Sequence, residues 1–209
     1  MSGYVITYFP LRGRAEPIRL LLADQGASWT EEEIPIADWF AGKCDIKKEA
    51  VFGQLPRFKD GDFVLYQSNC ILRYLGCKYC LAGGDNKEKA LIDMVNDGVE
   101  DLRLKFARAI FYEPENKEKY ETDLPNHLSA FERILSQNAD GTKYTVGEKI
   151  SYADYNLLDL LHCHLDPFPA CLSSFPLLTA FIDRISSRPK LSEYLKSEAR
   201  NQRPIIPKK

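Results

Sequence analysis

Tyr8 falls near the end of a β-rich run, Tyr4-Val5-Ile6-Thr7-Tyr8-Phe9, just ahead of a helix expected from about Arg14 to Gln25. A phenol at that junction can donate a hydrogen bond to an anion, and a helix N-terminus and Arg14 add positive potential. The plainer reading is a strand tyrosine packing a half-buried face. Gln67-Ser68 stands at a second expected helix start. Backbone N–H groups and a serine hydroxyl there form a natural carboxylate site, a role that coexists with a simple N-cap. Ser151 and Asp154 precede an apolar run at capping-box spacing, the aspartate standing where Glu or Gln is usual, so both read as structural.

Two other groupings invite chemistry and lose it on position. Cys77-Lys78-Tyr79-Cys80 has C-x-x-C spacing. A thioredoxin-type redox pair belongs where the first strand meets the first helix, and that place holds Tyr8-Phe9-Pro10-Leu11-Arg12. His162-Cys163-His164 places possible metal ligands side by side on a helix, where neighbours diverge, and no second ligand pair with metal spacing lies nearby; no metal is expected. No phosphate-cradling glycine motif occurs.

The elements around these residues fall into two unlike halves. After the first strand and helix, whose start tolerates Pro17 and whose end carries Gly26, Ser28 to Ile36 reads as a second strand. Asp38 to Phe52 reads as irregular. Residues 57–59 and 63–66 flank Asp60-Gly61-Asp62 as a hairpin, and a helix runs from Ser68 or Asn69 to about Tyr79. The order β-α-β-irregular-β-β-α makes an α/β domain with one mixed sheet over residues 1–81. Ala82-Gly83-Gly84-Asp85 reads as a linker, and an all-α domain is expected over 82–209. There Leu91, Met94, Val95, Val99, Leu102 and Phe106 recur at helical spacing, as do Leu124, Leu128, Phe131 and Leu135. Pro125 is expected to start or kink the second of these helices.

Composition bounds the rest. A 44% apolar fraction over 209 residues supports a substantial core, and a net charge of -2 offers nothing to nucleic acid. No apolar run approaches the roughly 18 residues of a membrane span, and no signal peptide is visible at the N-terminus. A cytoplasmic location is expected, with the six cysteines as reduced thiols.

The segments Tyr8-Phe9-Pro10-Leu11-Arg12-Gly13-Arg14, Leu22-Ala23-Asp24-Gln25-Gly26, Gly53-Gln54-Leu55-Pro56 and Leu65-Tyr66-Gln67-Ser68-Asn69 resemble the cytosolic glutathione transferases, most closely the pi class. Residues 94–102 and 150–159 extend the resemblance over nearly the whole chain. It implies a thioredoxin-like N-terminal domain with a mixed sheet, a helical C-terminal domain and a homodimer. It also implies an enzyme that joins the glutathione thiolate to hydrophobic electrophiles, with glutathione as co-substrate and no cofactor. Tyr8 becomes the catalytic hydrogen-bond donor to the sulfur.

Glutathione contacts carried over by the resemblance are Tyr8, Arg14, Trp39, Lys47, Gln54, Leu55, Gln67 and Ser68, with Asp101 reaching the γ-glutamyl ammonium across the dimer. A cis peptide is implied at Leu55-Pro56. The chain between Trp39 and Gly53 is two residues longer than the usual pi spacing, so Lys48 or Lys43 could replace Lys47 at the glycyl carboxylate. Phe52 takes the place of the aromatic key that enters the partner subunit, usually a tyrosine. The electrophile is expected on Phe9, Leu11, Ile36, Ala107 and Phe111, each of which is also an ordinary core candidate. Phe111 lacks the hydroxyl of a frequent pi-class tyrosine, which counts against epoxide opening. Ala50 replaces a frequent reactive cysteine, so weak inactivation by thiol reagents is expected. A non-enzymatic ligand carrier or regulatory binding protein of the same fold, and a glutathione-dependent isomerase, remain alternatives.

Overall fold

A computed structural model describes residues 3–205; Pro207-Lys208-Lys209 lies outside them. The chain divides into two compact units, one formed by residues up to Leu75 together with those from Arg188 onward, the other by Gly76–Ser187.

The first unit is built on a four-stranded sheet in the order β2-β1-β3-β4. Strand β1 (Tyr4–Tyr8) pairs in parallel with β2 (Trp29–Glu33), placing Tyr8 opposite Glu33. On its other edge β1 runs antiparallel to β3 (Arg57–Asp60), which turns into β4 (Phe63–Tyr66). Central placement explains why β1 is apolar almost throughout, with Ile6, Thr7 and Tyr8 all buried. Strand β2 lies at an edge, and Glu31, Glu32 and Glu33 give it the charge that discourages further pairing.

A short 3₁₀ turn, Gly13–Ala15, leads into α1 (Glu16–Asp24), with Pro17 in the first turn where its missing N–H costs nothing. The stretch expected to be irregular contains two short helices, α2 (Ile36–Phe40) and α3 (Ile46–Glu49). Segments of five and four residues are too short to show a helical repeat in sequence. Helix α4 (Ser68–Lys78) follows the hairpin.

The second unit holds α5 (Asn86–Ala107), α6 (Lys117–Gln137), α7 (Tyr152–Leu165) and α8 (Pro176–Ser186). Asp85 caps α5, accepting from the Lys87 and Glu88 N–H groups at 2.8 and 2.9 Å. Pro125 does not start its helix: α6 begins at Lys117 and runs through it, and the missing amide leaves the Glu121 carbonyl without its helical donor. The apolar stripe of α5 is also split. Val95, Val99, Leu102 and Phe106 are buried, whereas Leu91 and Met94 point outward, Met94 at 57% exposure. Buried Ile92 and Asn96 fix the inward face, and Leu91 and Met94 lie off it.

The chain then returns to the first unit through α9 (Pro189–Lys196) and α10 (Glu198–Asn201). Packing therefore differs from the single boundary read at residue 81. Two buried acids of α1 account for the return: Arg188 Nε meets Asp24 at 2.7 Å, and Arg200 Nε meets Glu16 at 2.9 Å. Such cross-links over 164 and 184 residues leave no local pattern in the sequence.

Candidate active site

Tyr8 is 6% exposed, and its ring packs on Phe9 at 5.2 Å between centroids. The chain after it bends back, so that the Arg14 N–H donates to the Tyr8 oxygen at 3.0 Å. That bond fixes where the phenol oxygen sits at the turn. Gly13 makes the bend possible: its φ is +43°, and a Cβ there would fall 2.6 Å from the Tyr8 oxygen and 2.6 Å from Leu11 Cδ1.

Arg19 fixes the same loop from beneath. Its Nη1 donates to the carbonyls of Leu11 at 3.1 Å and Arg12 at 3.2 Å, while Nε and Nη2 form a two-pronged pair with Glu31 at 2.8 and 3.0 Å. Burial pushes the Glu31 carboxyl up, but the Arg19 hydrogen bond and charge, with Trp29 and Arg203, hold it below the usual range. Gly13 and Arg19 were missed as site-building residues. The signal for Arg19 was a lone arginine inside the apolar run Ile18 to Leu22.

Further along, Trp39 is buried and meets Phe9 edge-on at 5.9 Å. Lys47 Nζ donates to the Trp39 carbonyl at 2.8 Å and lies 5.4 Å from the centroid of its ring. Lys48 pairs with Asp45 at 3.0 Å, and Lys43 with Asp38 at 3.8 Å, both pairs exposed. Of the three lysines, Lys47 is the one held against Trp39. The Leu55–Pro56 peptide is cis. Gln67 takes the left-handed conformation, φ 70°, immediately before buried Ser68, and donates to Gln54 Oε1 at 3.2 Å. The first N–H groups of α4 have no preceding turn to bond to, as at any helix start.

The remaining candidates sort by unit. Leu11 is buried, and Phe9 and Ile36 are half-buried, all in the first unit. Phe52 projects there at 64% exposure beside exposed Val51. Ala50 is buried, and Cys44 is half-buried. In the second unit Asp101 is exposed on α5, Ala107 closes that helix, and Phe111 is 41% exposed in the wider turn Arg108–Tyr112.

Groups set aside in the sequence have structural surroundings. Cys77 and Cys80 are exposed free thiols at the end of α4. His164 is buried against Tyr120, and no cluster of three or more metal-ligating side chains occurs among the described residues. Asp154 accepts from the amide and hydroxyl of both Thr145 and Ser151 at 2.7–2.8 Å, which completes the capping box of α7.

A mixed sheet ending in a phenol beside a helix start, followed by a cis-proline turn and a helical unit, defines the glutathione transferase class of fold. Residues 4–76 match the family "Glutathione S-transferase, N-terminal domain", and residues 100–198 match "Glutathione S-transferase, C-terminal domain". The chain is 66% identical to "Glutathione S-transferase P 1" of Xenopus laevis over 209 residues, covering 100% of this chain and 99% of that one. It is 52% identical to "Glutathione S-transferase P" of Homo sapiens, over 94% of this chain and 93% of the other. Among solved structures, the pi-class glutathione S-transferase of Onchocerca volvulus superposes with a TM-score of 0.92 at 41% identity, covering 99% of this chain and 98% of that one. The chain belongs to the glutathione S-transferase family, pi class.

Proposed function

We propose that this chain is a glutathione transferase that ionises the glutathione thiol beside Tyr8 and directs the thiolate at hydrophobic electrophiles. The observation that carries the reading is the Tyr8 phenol, buried at the end of β1, with its oxygen fixed by the Arg14 N–H where the chain turns toward α1. A free thiol has a pKa of about 8.5, so only a few per cent is thiolate at neutral pH. A hydrogen bond to the charged sulfur contributes about 1.5–3 kcal/mol, enough to raise that fraction about tenfold or more. The thiolate then forms the new C–S bond; on a halogenated nitrobenzene, halide leaves with the electron pair.

Gln67 and Ser68 at the start of α4 take the γ-glutamyl carboxylate, and the Leu55 backbone takes the cysteinyl part. Trp39 and Lys47 take the glycyl carboxylate; the Lys47–Trp39 contact favours Lys47 over Lys43 and Lys48. Arg14 adds positive potential, and Gln54 braces Gln67. Phe9, Leu11, Ile36, Ala107 and Phe111 supply apolar contact for the electrophile. Phe111 has no hydroxyl with which to assist epoxide opening. Glutathione is a co-substrate, and no cofactor takes part.

The working form is a homodimer in which Asp101 of one subunit serves the other. Exposed Phe52 and Val51 in the first unit and exposed Leu91 and Met94 in the second support apolar association. No helix among the described residues is long and apolar enough to cross a membrane, and we assign the enzyme to the cytosol.

The test is turnover of 1-chloro-2,4-dinitrobenzene with glutathione. Wild-type protein should conjugate it, and Tyr8→Phe should lose at least tenfold in kcat/KM while still binding glutathione. Binding without turnover in the wild type would make the chain a ligand carrier, and full activity in Tyr8→Phe would remove the proposed mechanism.

A further inference from the structure

Glu16 is an unusual residue to find in the first turn of α1: a carboxylate with no exposed surface. Burying a charge is costly unless it is paired and hydrogen-bonded. Its partners come from both ends of the chain. Arg19 Nη1 lies 3.3 Å from Oε2. Arg200 Nε donates to Oε1 at 2.9 Å, and the Tyr194 hydroxyl lies 3.3–3.4 Å from both oxygens. Arg19 is already neutralised by its paired bonds to Glu31, so its charge alone does not call for a second acid. What Glu16 adds is a bond between the guanidinium that grips the Tyr8 loop and the last segment of the fold. That segment also reaches the loop directly, where the Arg12 N–H donates to the Pro204 carbonyl at 3.0 Å.

The geometry points to Glu16, with Arg200 and Tyr194, as positioning residues for the Tyr8 hydroxyl. The inference rests on the proposed role of Tyr8. Glu16 holds Arg19 at the Leu11 and Arg12 carbonyls; these fix the turn at Gly13; the turn sets the Arg14 N–H that orients the Tyr8 oxygen. The guanidinium carbon of Arg19 also lies 6.0 Å from the centroid of the Tyr8 ring. If the Glu16 charge is removed, Arg19 and Arg200 face each other across a neutral amide. Like charges at this range repel, and the cheapest relaxation moves Arg19 off the two carbonyls. Other charged groups facing this cluster are Glu31 and Arg203, with Arg203 3.9 Å from Glu31 and 3.0 Å from Glu33.

The readout is the ultraviolet absorbance of the glutathione thiolate bound to full-length protein, titrated with pH. Glu16→Gln and Arg200→Gln should each lower the thiolate fraction near neutral pH by roughly three- to tenfold, a shift of about half to one pH unit in the titration. Arg200→Lys, which restores a cation next to Glu16, should recover most of it. Tyr194→Phe removes one hydroxyl without unbalancing charge and should lower the fraction by roughly twofold; it decides the matter if the charge variants do not fold. Wild-type titration curves in folded Glu16→Gln and Arg200→Gln, or in Tyr194→Phe alone where those fail to fold, would overturn the inference, even with a lower Tm. Tyr8→Phe is measured alongside. If it too titrates like wild type, the Tyr8 reading has failed; if it alone loses the thiolate, only the positioning role has.

Discussion

Gly13 and Tyr8 share one small space: a Cβ on residue 13 would lie 2.6 Å from the Tyr8 oxygen and 2.9 Å from its Cε1. The turn also holds residue 13 at φ +43°, where a side chain is strained. Gly13→Ala must therefore push the phenol or open the turn that aims the Arg14 N–H. We expect kcat to fall by roughly ten- to a hundredfold, as misplacement by about an ångström does, with a smaller effect on the KM for glutathione. Steady-state kinetics beside Tyr8→Phe checks this. Wild-type kcat in Gly13→Ala would mean that the close approach has no catalytic consequence.

Geometry in the first unit favours Lys47 among the three lysines proposed for the glycyl carboxylate. Lys47 Nζ is held at the Trp39 carbonyl and over its ring, whereas Lys43 and Lys48 make exposed pairs of the kind that contribute little. Lys47→Ala should raise the KM for glutathione roughly tenfold with little change in kcat, the mark of an interaction made equally in ground and transition states. Lys43→Ala and Lys48→Ala should stay within about twofold of wild type. A tenfold effect at Lys48 instead would reassign the contact.

Much of this was legible because the signals are local. The Tyr8 strand, the Asp60-Gly61-Asp62 hairpin and the Ser151–Asp154 cap depend on neighbours a few residues apart, and each stands as the pattern implied. The Arg19–Glu31 pair, the return of Arg188 and Arg200 to α1 and the outward turn of Leu91 and Met94 were not legible. Each depends on packing between residues far apart in the chain, which periodicity cannot identify. The motifs at residues 94–102 and 150–159 illustrate both sides. They read as helix, but their polar members make sense only in three dimensions. Buried Asn156 donates to Asn96 at 2.8 Å, and Arg103 lies 2.8 Å from Asp159.

Asp154 tests the structural half of that reading. Its two oxygens accept four hydrogen bonds from Thr145 and Ser151, and it is fully buried. Burial favours the protonated acid, and the four donors oppose that preference. Asp154→Ala strands two backbone amides and two hydroxyls at the start of α7, a loss of about 2–4 kcal/mol. Denaturant unfolding should show that loss, while glutathione affinity of the folded protein stays near wild type. Unchanged stability would contradict the assignment.

His164 makes stability depend on mild acid in a direction that can be worked out. Its Nδ1 lies 2.7 Å from the Leu160 carbonyl, which only accepts, so Nδ1 carries the proton. Nε2 then accepts from the Tyr120 hydroxyl at 2.7 Å, and the ring is neutral. Burial, reinforced by Arg103 and His127 and opposed by the Leu160 bond, brings its pKa down to about 4. An unfolded histidine titrates near 6.5. Above that value neither state binds the proton, and folding keeps its full stability. As pH falls below it, the unfolded chain takes up the proton while the folded one does not, so stability drops until both are protonated near pH 4. The loss between pH 7.5 and pH 5 should be about 2 kcal/mol at 1.36 kcal/mol per pH unit. Burial and Lys105 lower the half-exposed His127 as well, which adds a smaller change of the same sign. Urea midpoints at the two pH values measure the sum. His164→Gln should flatten most of the slope, since most carboxylates titrate below this window; an equally steep slope in that variant would place the acid sensitivity elsewhere.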